Sequence, residues 1–248
     1  NTIDFLIELD GIYDKIIDLN DENLSNEYKN LVTIMKLGLH SDEWIPTVLS
    51  YFLKFEYYNL DEFIKKLEYK FIGDLMSNVS PSKRRENLNN IIKTIEIVSK
   101  ENMDILFENR ELFDIDKNIF RKNINGDIYG KKYTKYLLLK MEYLMNDNSV
   151  YLSNYKEISI EHVLPQNPLK KSHWRRDFTE EQRKLWTNKL SNLVLISNKK
   201  NVKLANLDFK KKKEEYLKNR MDVFNSSKIF LDKSSKWDEA TLKSRQNT

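Results

Sequence analysis

The chain has 248 residues, with 42 Lys and Arg against 38 Asp and Glu, and no cysteine. That length admits one or two compact domains with a sizeable core, and the missing cysteine excludes a disulfide framework, a zinc–thiolate site and a thiol nucleophile. No apolar run approaches the roughly 20 residues that cross a bilayer, so no membrane partner is expected.

The first predicted element is an amphipathic helix over residues 1–19, where Ile3, Leu6, Leu9, Ile12, Tyr13, Ile16 and Ile17 form one stripe. It lacks the basic segment, apolar run and small-residue cleavage site of a signal peptide. With no methionine at position 1, the expectation is a fragment of a longer cytoplasmic protein. Further stripes of three- and four-residue spacing run through Leu31–Leu37, Trp44–Phe55, Leu60–Met76, Leu88–Val98 and Tyr133–Met145. Cap and turn residues separate them at Asn20–Asn23 and Ser77–Ser82. The aromatic group Tyr51, Phe52, Phe55, Tyr57 and Tyr58 has helical spacing and is read as packing rather than a base-stacking platform. No fixed-period repeat and no Gly-x-x-x-x-Gly-Lys run occurs, which argues against a solenoid and a P-loop.

The pattern changes after Tyr151. Ile158–Leu164, ended by Pro165, and Leu193–Ile196 read as two strands. Between them lies a polar connection that contains Trp174 and Trp186 as core anchors and has room for a short helix from about Thr179 to Lys189. A helix carrying Phe209, Lys213, Tyr216, Leu217 and Arg220 follows. Charge divides the chain at the same place: residues 1–150 hold 20 basic and 26 acidic side chains, net −6, and residues 151–248 hold 22 and 12, net +10. A basic segment attracts polyanions, because each cation near a phosphate releases condensed counterions. A solvated basic face would have the same composition.

Glu161 and His162 adjoin at the end of the first strand. A carboxylate can hold a hard cation, and an imidazole with a pKa near 6.5 can take a proton from water. Strand alternation sends the two to opposite faces unless the backbone twists or ends there, as Pro165 allows.

Glu161-His162-Val163-Leu164-Pro165, then Asn192-Leu193-Val194-Leu195-Ile196-Ser197 and Asn201, resembles the HNH (His-Asn-Asn variant, ββα-metal) nuclease motif. The run Ile160–Gln166, Leu190–Leu193, Asn201, Asn206, Phe209, Lys212, Tyr216, Trp237 and Arg245 is similar to the C-terminal nuclease domain of GmrSD-type modification-dependent (type IV) restriction endonucleases. Tyr129-Gly130-Lys131-Lys132 extends the likeness from about residue 100 to 245. The resemblance implies a mainly α fold with a small embedded ββα-metal motif. Residues 1–150 would be a helical linker or scaffold and 151–248 an HNH-type nuclease domain, the two packing as one unit.

The implied activity is metal-dependent hydrolysis of phosphodiester bonds in double-stranded DNA, as the effector part of a phage-restriction enzyme acting on modified DNA. His162 would be the general base, and Asn192 would brace the loop and the histidine. Glu161 and Asn201 would hold one divalent ion, and two oxygen donors favour Mg2+ or Mn2+. Lys212, Lys199 and Lys200 are candidate nucleic-acid contacts, Pro165 shapes the site, and Asn206 is a candidate cap for the following helix. The implied partners are DNA and an N-terminal nucleotide-hydrolysing sensor domain. A non-catalytic nucleic-acid-binding and partner-docking module with a vestigial nuclease motif fits the same charges, and so does a nuclease fragment active only in the full-length assembly.

Overall fold

The computed structural model describes residues 2–145, 158–218, 224–232 and 235–247. They fall into two units, one through Arg121 and one from Lys122 onward. The expected boundary between residues 150 and 151 lies outside the described residues, as does Arg220.

The first unit is helical: α1 (Thr2–Ile16), α2 (Asn26–Gly38), α3 (Ile45–Phe55), α4 (Leu60–Met76), α5 (Pro81–Ile97), α6 (Asp104–Phe107) and α7 (Arg110–Phe113), with α8 (Lys117–Ile124) leading into the second unit. The predicted stripes and breaks reappear as elements because the apolar faces of α2 to α5 are buried and the polar breaks supply caps, whereas Ile3 and Leu6 of the α1 stripe are exposed. Ser25 Oγ accepts from Tyr28 N at the start of α2, and Ser80 Oγ accepts from Lys83 N at the start of α5, where Pro81 occupies a position that needs no donor. Tyr51 stacks on Phe63 with ring centroids 3.9 Å apart, and Tyr51, Phe52 and Phe55 are buried and pack the core, whereas Tyr57 and Tyr58 are exposed, which corrects the expectation for those two. Each such ring contributes roughly 1.5–3 kcal/mol by leaving water. Gly73 on α4 lets Ile115 approach so closely that a Cβ there would lie 2.3 Å from Ile115 Cγ2.

The second unit contains α9 (Thr134–Met145), β1 (Ile158–His162), α10 (His173–Asp177), α11 (Glu180–Trp186), β2 (Leu193–Ser197), α12 (Asn198–Leu204), α13 (Phe209–Leu217) and α14 (Glu239–Asn247). The strands are antiparallel, with Ile158 opposite Ser197 and His162 opposite Leu193. The molecule is therefore mainly α, with one two-stranded sheet among the described residues. α11 begins at a capping box in which Thr179 Oγ1 accepts from Gln182 N and the Gln182 side chain accepts from Thr179 N.

Val163, Leu164, Trp174, Phe178, Trp186, Val194, Ile196, Tyr216, Phe230 and Trp237 form the core of this unit. Trp174 Nε1 donates to Leu207 O at 2.9 Å, so its polar edge is satisfied inside the core. The helix expected around Phe209 is α13; a further helix, α12, precedes it, and the chain breaks between the two with Ala205 at φ 34°. The cap position of α13 falls to Asp208, and Asn206 is an exposed turn residue, which corrects its expected role. Among the described residues no helix is long and apolar enough to cross a membrane.

Candidate active site around His162

β1 delivers Glu161 and His162 to two different environments, as the alternation of a pleated strand requires. On one side, the Glu161 carboxylate accepts from Lys212 Nζ on α13, and the same ammonium donates to His162 O at 2.7 Å. The Lys212 side chain is 0% exposed and that of Glu161 4%. Burial pushes the Glu161 carboxyl up to about 7, opposed by the Lys212 charge and hydrogen bond. Burial pushes the Lys212 ammonium down, opposed by Glu161. Asn201 on α12 donates from Nδ2 to Ser159 Oγ at 2.5 Å. Ser159 alternates with Glu161 along β1, so Asn201 addresses the Glu161 side of the sheet.

On the other side, His162 Nε2 lies 3.3 Å from Asn188 Oδ1, and Gln166 Nε2 donates to that same oxygen at 3.2 Å. An amide oxygen only accepts, so Nε2 carries the imidazole proton and Nδ1 holds the lone pair. The Tyr129 ring meets the imidazole edge-on, with centroids 4.1 Å apart. The Asn188 carbonyl fixes that tyrosine by accepting from Ile128 N and Tyr129 N. Burial is the main cause that lowers the His162 pKa to about 4; the Asn188 hydrogen bond raises it and the Lys212 charge lowers it further. The imidazole is therefore neutral at pH 7.

Asn192 is fully buried and uses all four hydrogen-bonding positions of its carboxamide. Its Oδ1 accepts from Leu164 N at 2.8 Å and Trp237 Nε1 at 3.1 Å, and its Nδ2 donates to Leu164 O at 2.9 Å and Thr187 O at 2.8 Å. Together with Val163 N donating to Asn192 O, these bonds clamp the segment after His162. Its bonds run to that loop, to Thr187 and to Trp237, and not to the imidazole. Pro165, also buried, continues the clamped turn.

The three candidate nucleic-acid lysines separate. Lys199 is exposed. Lys200 is buried and donates to Tyr216 O and Lys218 O, with its ammonium 5.1 Å from the Tyr216 ring. Lys212 is tied to Glu161. The expectation that Lys212 and Lys200 reach a phosphate is corrected: both ammonium groups hold the interior together.

As arranged, Glu161 and Asn201 do not fit a divalent cation. The only carboxylate of the pair is held by a buried ammonium, and among the described residues no three His, Asp or Glu side chains group for a metal. The absence of cysteine leaves no zinc–thiolate site.

Sequence reasoning missed Asn188 as the partner of His162 and Gln166 as the second donor to Asn188, and Tyr129 entered only through a likeness. Asn188 sits in the polar break after α11, a place where asparagine reads as a turn residue. A cleft of about 510 Å3 also escaped it; Gln166, Arg175, Arg183, Lys184 and Asn188 help line it.

A family model described as GmrSD restriction endonucleases, C-terminal domain, matches residues 113–248. That is more than half of the chain, and the chain belongs to this family. No curated protein and no solved structure matches it.

Proposed function

We propose that this member of a restriction endonuclease family cleaves double-stranded DNA with His162 as its general base, in the manner of an HNH nuclease. The observation that carries the reading is the imidazole itself. It is neutral, is oriented through Nε2 by Asn188, and has Nδ1 unprotonated. Water would transfer a proton to Nδ1 as its oxygen attacks phosphorus, the bond from phosphorus to the departing ester oxygen would break, and that oxygen would take a proton from solvent. General-base help of this kind is worth about 10²–10⁴-fold. A base with a pKa near 4 is weak, but the arriving phosphodiester raises it, because a nearby negative charge favours imidazolium. Asn192 positions the loop that follows His162 and does not meet the substrate.

The resemblance implies Mg2+ or Mn2+, and binding at Glu161 would require release of its carboxylate from Lys212. Selection of modified DNA is assigned to an N-terminal nucleotide-hydrolysing sensor module. The test is nicking of supercoiled plasmid, with and without modified bases, in Mg2+ or Mn2+, comparing the chain with His162→Ala. Equal activity of the two proteins removes His162 from the mechanism.

One observation favours a second reading, a nucleic-acid-binding module with a vestigial nuclease motif: the Glu161 carboxylate is already neutralised from within. That reading expects DNA binding without cleavage under every metal condition.

A further inference from the structure

The basic character of the second unit has to be placed somewhere, and two of its three motif-associated lysines turn inward. The cleft beside His162 supplies another cationic surface. Its walls come from α10, α11 and the segment after β1, and they carry Arg175, Arg183 and Lys184 against a single carboxylate, Glu180. Arg175 Nε donates to Pro168 O at 3.1 Å, and its two terminal nitrogens make no hydrogen bond among the described residues. Arg183 is anchored by Nη1 to Phe178 O. Both guanidinium groups are thus oriented by one backbone carbonyl each, with donors left over. Lys184 pairs with Glu180 at 2.7 Å on the exposed rim.

Asn188 and Gln166 belong both to this cleft and to the His162 hydrogen-bond set, so one side chain separates the cationic floor from the imidazole. A planar fork with spare donors matches the geometry of a phosphate oxygen pair. Water-filled polar concavities with two unopposed positive charges also concentrate polyanions near the surface.

We infer that this cleft seats a backbone phosphate of the substrate strand next to the bond presented to His162, with Arg175 and Arg183 as positioning residues. The inference rests on the nuclease reading for its substrate, but it is tested by binding, which does not require cleavage. A fluorescent 20-base-pair duplex is titrated with the full chain at several salt concentrations, using wild type, Arg175→Gln/Arg183→Gln, and Arg175→Gln/Lys184→Gln. The last pair lies on exposed positions and spares the Arg183 anchor, so it covers the case in which the first fails to fold. Lys83→Gln/Arg85→Gln on α5 removes the same charge elsewhere as a control.

The expected result is that the slope of log Kobs against log salt flattens by about 1 for each phosphate that is no longer neutralised, for the cleft variants and not for the control. An unchanged slope, or an equal change in the control, overturns the assignment. His162→Gln separates the two claims. If cleft variants keep the wild-type slope while wild type cleaves DNA and His162→Gln does not, the cleft assignment fails and the nuclease reading stands. If they lose the slope while wild type never cleaves, the cleft stands and the nuclease reading fails.

Discussion

Replacing Lys212 by methionine keeps the length and bulk of the side chain and deletes the charge that faces Glu161. The wild-type pair is sealed from water, with 0% and 4% of its side chains exposed, so the orphaned carboxylate cannot recover its hydration. Removing one member of a buried pair costs about 3–5 kcal/mol, a large part of the roughly 5–15 kcal/mol that holds a domain folded. In Glu161→Gln/Lys212→Met the charge is gone and what remains is the missing donor to His162 O, worth about 1–3 kcal/mol. The double variant is therefore expected to be more stable than Lys212→Met alone.

The pH dependence has a definite sign. Burial already pushes the Glu161 carboxyl up to about 7 against the pull of Lys212, and loss of Lys212 sends it higher. A carboxyl raised above its unfolded value gives stability that is present below the unfolded pKa and disappears as pH rises through the folded one. Lys212→Met is thus least damaged near pH 5 and loses up to about 1.4 kcal/mol per unit on the way to pH 8. Urea unfolding followed by tryptophan fluorescence reads this, since Trp174, Trp186 and Trp237 lie in the core of the same unit. A loss below about 0.5 kcal/mol, the scale of exposed ion pairs, or a loss that does not vary with pH refutes the buried pair.

Four further outcomes are expected. At subsaturating plasmid, where the rate reports the free enzyme, cleavage should show no break at pH 6.5 and should fall only toward the His162 pKa of about 4; the same depression contributes stability that is complete above 6.5 and lost as pH falls, a slope absent from His162→Gln, and a free-enzyme limb centred near 6.5 would contradict the burial. Asn192→Ala leaves Leu164 N, Leu164 O, Thr187 O and Trp237 Nε1 without their partner and should cost several kcal/mol by chemical denaturation, at roughly 1 kcal/mol per hydrogen bond; a cost under 1 kcal/mol would mean water replaces the clamp. Manganese titration by calorimetry should give the same affinity for wild type and Glu161→Gln, and a clear loss in the variant would return Glu161 to the role of ligand. Gly73→Ala drives a methyl against Ile115 and should destabilise the first unit by about 1–3 kcal/mol, which thermal unfolding can measure.

Much of the fold was legible because it is written in local chemistry. The spacing of Leu60, Phe63, Ile64, Leu67, Phe71 and Ile72 makes a helix wherever that stripe is covered, and all six are buried. Ile158–His162 and the apolar run Leu193–Ser197 pair in register, and Ser25, Ser80 and Thr179 cap the helices that follow them. The turn ahead of Phe209 was legible through Asn206, but α12 was not, since Asn198-Lys199-Lys200-Asn201 carries no apolar stripe. The position of His162 at a strand end beside Glu161 was visible too, as was the importance of Asn192.

Burial and partnership were not written locally. A lysine reads as a surface cation at every position, and its four-carbon stem reaches inward or outward with equal ease. Lys212 lies beside Lys210, Lys211 and Lys213 in an unbroken run, yet α13 turns only Lys212 wholly inside, toward Glu161, which lies 51 residues earlier. Asn188 likewise becomes a partner of His162 only once α11 folds back against β1. Periodicity, caps and pairing are short-range properties that the chain carries in itself. The charge state of His162, the occupation of Glu161 and the cationic cleft depend on desolvation and on groups far apart in sequence, and these exist only when the second unit has closed around them.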